Sequence, residues 1–137
     1  MTYEPIDPPE LGAPRGFTNG MLAPAGGRVL FVAGQDAAEP DGVVGDADFV
    51  AQFSTALRKT LAVVHAAGGR PEDVGRLTIY VTDLAEYRAR RRELGETWRA
   101  LMGRHYPAMA LVHVQALVDP AARVEIEATA VLPDDGA

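Results

Sequence analysis

The sequence contains no cysteine. That excludes disulfides, thiolate catalysis and cysteine-based metal sites. It contains one serine, Ser54, which falls inside a helical pattern with no base beside it and so argues against a Ser-His-Asp hydrolase. No apolar run reaches the ~18–20 residues of a membrane span, and the opening Met1-Thr2-Tyr3-Glu4-Pro5 has neither a basic stretch nor an apolar one, so no membrane association and a cytoplasmic location are expected. There is no P-loop and no GxGxxG. The three histidines, His65, His105 and His113, are scattered without ligand spacing, so neither a metal nor a cofactor is expected. Positive charge is also scarce: 13 basic residues against 19 acidic ones give a net charge of −6. Nucleic-acid binders neutralise phosphates with clustered cations, so this balance argues against a nucleic-acid partner.

What remains is a chain of 137 residues, 47% apolar and 23% charged, the balance of one ordinary globular domain. Residues 1–14 carry Pro5, Pro8, Pro9 and Pro14 and read as a flexible extended arm. Met21-Leu22-Ala23 and Val29 to Ala33 flank a Gly-rich break and read as a hairpin. A first helix is expected over 46–67, capped by Asp46, with Phe49, Phe53, Leu57, Leu61 and Val64 on one face and Gly68-Gly69 as the stop. Leu77 to Val81 reads as a strand. A second helix is expected over 84–102, with Leu84, Tyr87, Leu94, Trp98 and Leu101 on one stripe and Arg91 interrupting it. Met109 to Leu117 and Val124 to Leu132 alternate as strands, and residues 133–137 form an acidic tail. A single domain over 15–132 is therefore expected, of α+β class, with two helices covering one face of a mixed sheet. The other face, expected to carry Met109 and Leu111, would need a partner subunit to bury it.

Two clusters bear on chemistry. Glu125 and Glu127 share one face of the last strand. Two same-face carboxylates raise each other's pKa if buried, and one then becomes a candidate general acid or base; on a solvated edge they do nothing. Arg88, Arg90, Arg91 and Arg92 form the only basic run. It reads either as a solvated helix face with i,i+4 partners or as a phosphate patch.

Several segments together resemble the RidA family (YjgF, reactive-intermediate deaminases). They are Val29-Leu30-Phe31-Val32-Ala33-Gly34-Gln35, Ala66-Ala67-Gly68-Gly69, Pro71-Glu72-Asp73-Val74, Leu77 to Leu84, Tyr106-Pro107-Ala108 and Val124-Glu125-Ile126-Glu127-Ala128. The resemblance implies a chorismate-mutase-like fold, assembled as a homotrimer with small-molecule sites in clefts between subunits. Deaminase members of that family hydrolyse imines and enamines, clamping the substrate carboxylate with arginine. By that resemblance Glu125 positions the attacking water, and Phe17, Ala33 and Gly34 line the cleft. The arginine position falls on Met109, and a thioether cannot clamp a carboxylate. The resemblance also places a cleft asparagine of the family on Arg91, which is therefore expected to supply the cation in the cleft; the alternative is a stem snorkelling over the core edge. His113 is a further cleft candidate, with a trimer-interface histidine as the alternative. The expected function is a divergent imine or enamine hydrolase for a less anionic substrate, with a non-catalytic metabolite-binding trimer as the alternative. An endoribonuclease fits the acidic chain poorly.

Overall fold

A computed structural model describes residues 3–45 and 48–134. Its strands are β1 (Glu4–Ile6), β2 (Gly20–Leu22), β3 (Arg28–Gln35), β4 (Val74–Val81), β5 (Ala108–His113) and β6 (Val124–Leu132). Its helices are α1 (Phe49–Ala66), α2 (Leu84–Ala89) and α3 (Arg91–Met102). The main sheet has the order β3-β6-β4-β5. β6 is antiparallel to β3 and β4, while β4 and β5 are parallel, so the sheet is mixed as the α+β reading expects.

The helices lie on one face. Phe49, Phe53, Ala56, Leu57 and Val64 of α1 recur at the helical period and pack on Val32, Leu77, Ile79, Val81, Ile126 and Ala130 of the sheet. Leu94, Trp98 and Met102 of α3 extend the same core. Gln52 is buried within this layer, its amide donating to the Ala121 carbonyl at 3.1 Å and accepting from the Arg123 N–H at 2.9 Å. These bonds tie α1 to the chain entering β6.

Several boundaries differ from the sequence reading. The helix cap is Asp48, whose carboxylate accepts from the Val50 and Ala51 N–H groups; the expected cap, Asp46, lies outside the described residues. The second helix is two. It breaks at Arg90, whose backbone (φ −110°, ψ 18°) leaves the helical region. Arg90 spans the break, holding Glu93 and Asp48 at 2.6 Å each.

The expected β2–β3 hairpin does not form. β2 pairs instead with β1, and β3 pairs with β6. The N-terminal stretch is consequently tied down at residues 3–6. The Tyr3 hydroxyl donates to the Asp73 carbonyl at 2.7 Å and accepts from the Val131 N–H at 2.9 Å. Its ring lies on Gly75, where a Cβ would come within 2.7 Å of ring carbons. Glycine is what lets the strap approach β4 this closely.

Met109 and Leu111 are not on the bare face. They pack against the helix-side core beneath α2 and α3. The bare face presents Val29 and Phe31 of β3, Tyr80 of β4, Val112 of β5, and Glu125 and Glu127 of β6. Alternation along β5 separates the two sets of residues, but only the helices determine which set is covered.

Candidate functional site

The predicted site residues divide into two groups on opposite faces of the sheet. On the helix side, Phe17, Arg91 and Met109 meet around a cavity of about 330 Å³. Its walls are mostly aromatic and aliphatic: Tyr87, Leu94, Trp98 and Tyr106, with Ile79 and Leu111 from the sheet. Trp98 and Tyr106 stack, with ring centroids 6.0 Å apart and planes 10° from parallel. The Trp98 indole donates to the His105 carbonyl at 3.2 Å, and a His105 ring nitrogen lies 2.6 Å from the Val74 carbonyl oxygen. Polar anchors therefore fix the ring wall from behind, leaving its apolar surface to the cavity.

Gly16 and Phe17 also line this cavity, and the neighbouring Thr18 bridges in parallel to Ala108 at the β5 edge. Arg91 is the one charged residue among the lining groups. It is exposed, and no hydrogen bond or ion pair engages it among the described residues. The rest of the basic run is otherwise occupied in part. Arg90 joins α1 to α3, and Glu86 pairs with Arg123 at 3.1 Å rather than with Arg90. Asp48 receives the Arg90 hydrogen bond, which holds its carboxyl below the usual carboxylate range.

On the bare face, Glu125 stands opposite Tyr80 of β4 in register. Partial burial, together with the charges of Asp36 and Glu127, pushes its carboxyl above the ordinary range. Glu127 is engaged differently, accepting the Tyr80 hydroxyl at 2.8 Å, and that bond raises the Tyr80 pKa. Gly34 is the floor under Glu125. A Cβ there would stand 2.6 Å from Oε2, so only glycine allows the carboxylate its position. The β-bulge between Val32 and Gln35 brings Gly34 to this place. Asp36 is fixed in turn by Lys59, whose ammonium donates to the carbonyls of Asp36 and Ala38 at 2.9 and 2.8 Å.

Ala33 is exposed on β3 beside this group. His113, at the end of β5, is exposed and lines neither the cavity nor the carboxylate group. The sequence reading did not assign Tyr87, Trp98 and Tyr106 to a site; their signal was present, but as part of an apolar stripe. Tyr80 and Asp36 were missed because their place beside Glu125 depends on cross-strand register and a loop. Among the described residues no group of three or more His, Asp or Glu is placed to hold a metal ion. No described helix is long and apolar enough to cross a membrane.

A mixed four-stranded sheet, helix-covered on one side, with Arg91 on the covered side and the perturbed Glu125 on the bare one, defines a small α+β protein with a half-covered sheet. Residues 13–132 match the sequence model described as Endoribonuclease L-PSP, and the chain belongs to this family, the RidA or YjgF family. It is 31% identical over 108 residues to the 2-iminobutanoate/2-iminopropanoate deaminase of Escherichia coli, spanning 77% of this chain and 80% of that protein. The Rid-family protein YyfB of Yersinia pestis superposes with a TM-score of 0.83 at 32% identity, covering 96% of this chain and all of that one. Escherichia coli TdcF with bound serine superposes at 0.68 with 28% identity, covering 89% and 92%.

Proposed function

We propose that this protein is a homotrimeric imine or enamine hydrolase whose clefts lie between neighbouring copies. The observation that carries the reading is the separation of Arg91 and Glu125 onto opposite faces of one sheet. A single copy cannot place both on one substrate, whereas a neighbour can. β3 and β5 are the two edges of the sheet. The Glu125 group lies at the β3 side and the Arg91 cavity beside the β5 edge. Setting the β3 edge of one copy against the β5 edge of the next is a head-to-tail contact, which closes as a three-membered ring when each copy is turned by a third of a circle from the last. Such a ring also buries the bare apolar face, where Phe31 is 79% and Val29 57% exposed in one copy.

In this cleft the chemistry is hydrolytic. Arg91 holds the carboxylate of a 2-imino acid and the apolar walls hold its side chain. Glu125 takes a proton from water as the water oxygen bonds to the imine carbon. Protonated Glu125 delivers that proton to nitrogen, completing the carbinolamine; the hydroxyl proton then passes to nitrogen as the C–N bond breaks and the carbonyl forms, so ammonia leaves and a keto acid remains. A carboxyl raised above its ordinary range is a better matched base and acid for this exchange than a free one. The net −6 charge and the single guanidinium of the cavity favour a small anion over RNA.

The test is ammonia release from 2-iminobutanoate generated in situ. The wild type accelerates it, and Glu125→Gln reduces that acceleration by about 10²–10⁴-fold. Equal rates for the two proteins overturn the catalytic role. Met109 favours a second reading, because a thioether stands where the deaminase resemblance places the arginine. A trimer that binds 2-oxobutanoate and leaves the imine untouched fits that reading, a metabolite-binding module.

A further inference from the structure

We infer that the helix-side cavity selects an aromatic monocarboxylate, with the carboxylate on Arg91 and the ring against the Trp98–Tyr106 wall. This deepens the reading above by naming the ligand class of the same cleft. Four features carry it. The cavity, at about 330 Å³, lies within the range of sites that enclose organic ligands. Its walls include Phe17, Tyr87, Trp98 and Tyr106, and a one- or two-carbon side chain offers these rings little surface to bury. Its single charge is Arg91, and no carboxylate lines it, so it matches one anionic group and not two.

The fourth feature is Gly95. It sits mid-helix in α3, where glycine costs stability relative to alanine, and it lines the cavity. A Cβ there would meet only Arg99 Nη1, at an ordinary 3.5 Å. Packing of the fold therefore does not require glycine at 95. What the missing side chain preserves is cavity space beside Trp98.

The single tryptophan gives the readout, since Trp98 is the only one in the chain. Wild-type protein is titrated with 3-phenylpropanoate, propanoate and 3-phenylpropanamide, following Trp98 fluorescence and confirming by calorimetry. The inference expects saturable binding of 3-phenylpropanoate, with the other two weaker by about tenfold or more. Arg91→Gln weakens the acid by about tenfold and leaves the amide unchanged. Gly95→Leu loses the aromatic acid while keeping the wild-type melting temperature. Equal affinity for 3-phenylpropanoate and propanoate, no binding of either, or full affinity in Arg91→Gln each overturns the inference. None of these readouts needs turnover. Ammonia release from 2-iminobutanoate without 3-phenylpropanoate binding overturns the ligand class and leaves the hydrolase. Binding without any imine hydrolysis upholds the ligand class and overturns the hydrolase.

Discussion

The two faces of the sheet carry opposite kinds of surface. The helix side is closed by α1, α2 and α3 over an aliphatic core, and its one accessible cavity among the site residues holds a lone guanidinium in an aromatic shell. The other side is bare, with exposed Phe31, Val29 and Val112 next to Glu125, Glu127 and Tyr80. One face is complete as a core; the other resembles half of one. The contrast teaches that the covered face combines the core with the cavity of Arg91, while the perturbed carboxylate stands on the bare face. The covered face holds the subunit's core, and the bare face leaves Val29, Phe31 and Val112 exposed in one copy.

Substitutions separate these two faces. Leu57 is fully buried in the helix-side core. Leu57→Ala is expected to destabilise by about 2–5 kcal/mol through lost burial and a residual cavity, read by denaturant unfolding. On the bare face the corresponding change acts on assembly. Phe31→Glu leaves the stability of one subunit within about 0.5 kcal/mol, because the ring is already in water there. It lowers the mass seen by light scattering from three chains to one. A variant that remained trimeric would show that the bare apolar strip is not the interface.

Gly34→Ala sharpens the comparison within the bare face. The nearest atoms to the new methyl belong to the flexible end of Glu125, so the carboxylate moves and the fold does not. Imine hydrolysis is expected to fall by about tenfold at an unchanged melting temperature, since small misplacement of a catalytic group is costly.

The smallest effect is on pH dependence. Burial raises the folded pKa of Glu125 above its unfolded value. The folded state then binds more protons between those two values, so this group's contribution to stability falls as pH rises through that window. Glu125→Gln removes the effect. Its melting temperature should exceed that of the wild type at neutral pH, and the gap should close on acidification below the ordinary carboxylate range.

Much of this was legible in the sequence, for identifiable reasons. The 3.6-residue spacing of Phe49, Phe53, Leu57 and Val64 made α1 plain, and strict alternation gave β6 its observed bounds. The identity of the cap was not legible, because Asp46 and Asp48 are equivalent acceptors two residues apart. Neither was the break at Arg90, which lacks the proline or glycine that usually marks one and is spanned by ion pairs to Asp48 and Glu93. β2 is short, so its partner is chosen by tertiary contacts; Tyr3 pins the strap that brings β1 to it. For the site, Phe17, Arg91 and Met109 were picked individually, and the fold brings them to one cavity. Glu125 and Gly34 were likewise picked and prove to touch. That the two sets lie on opposite faces required knowing which side the helices cover, and alternation alone carries no such information.

The central claim is that each site takes its carboxylate from one copy and its cation from another. Subunit mixing tests it most directly. Glu125→Gln and Arg91→Gln proteins, each impaired alone, are unfolded together and refolded as mixed assemblies. Random mixing places both native groups in about a quarter of the clefts, so imine hydrolysis should recover to about a quarter of the wild-type rate. A mixture no more active than the average of the two variants would contradict the shared site.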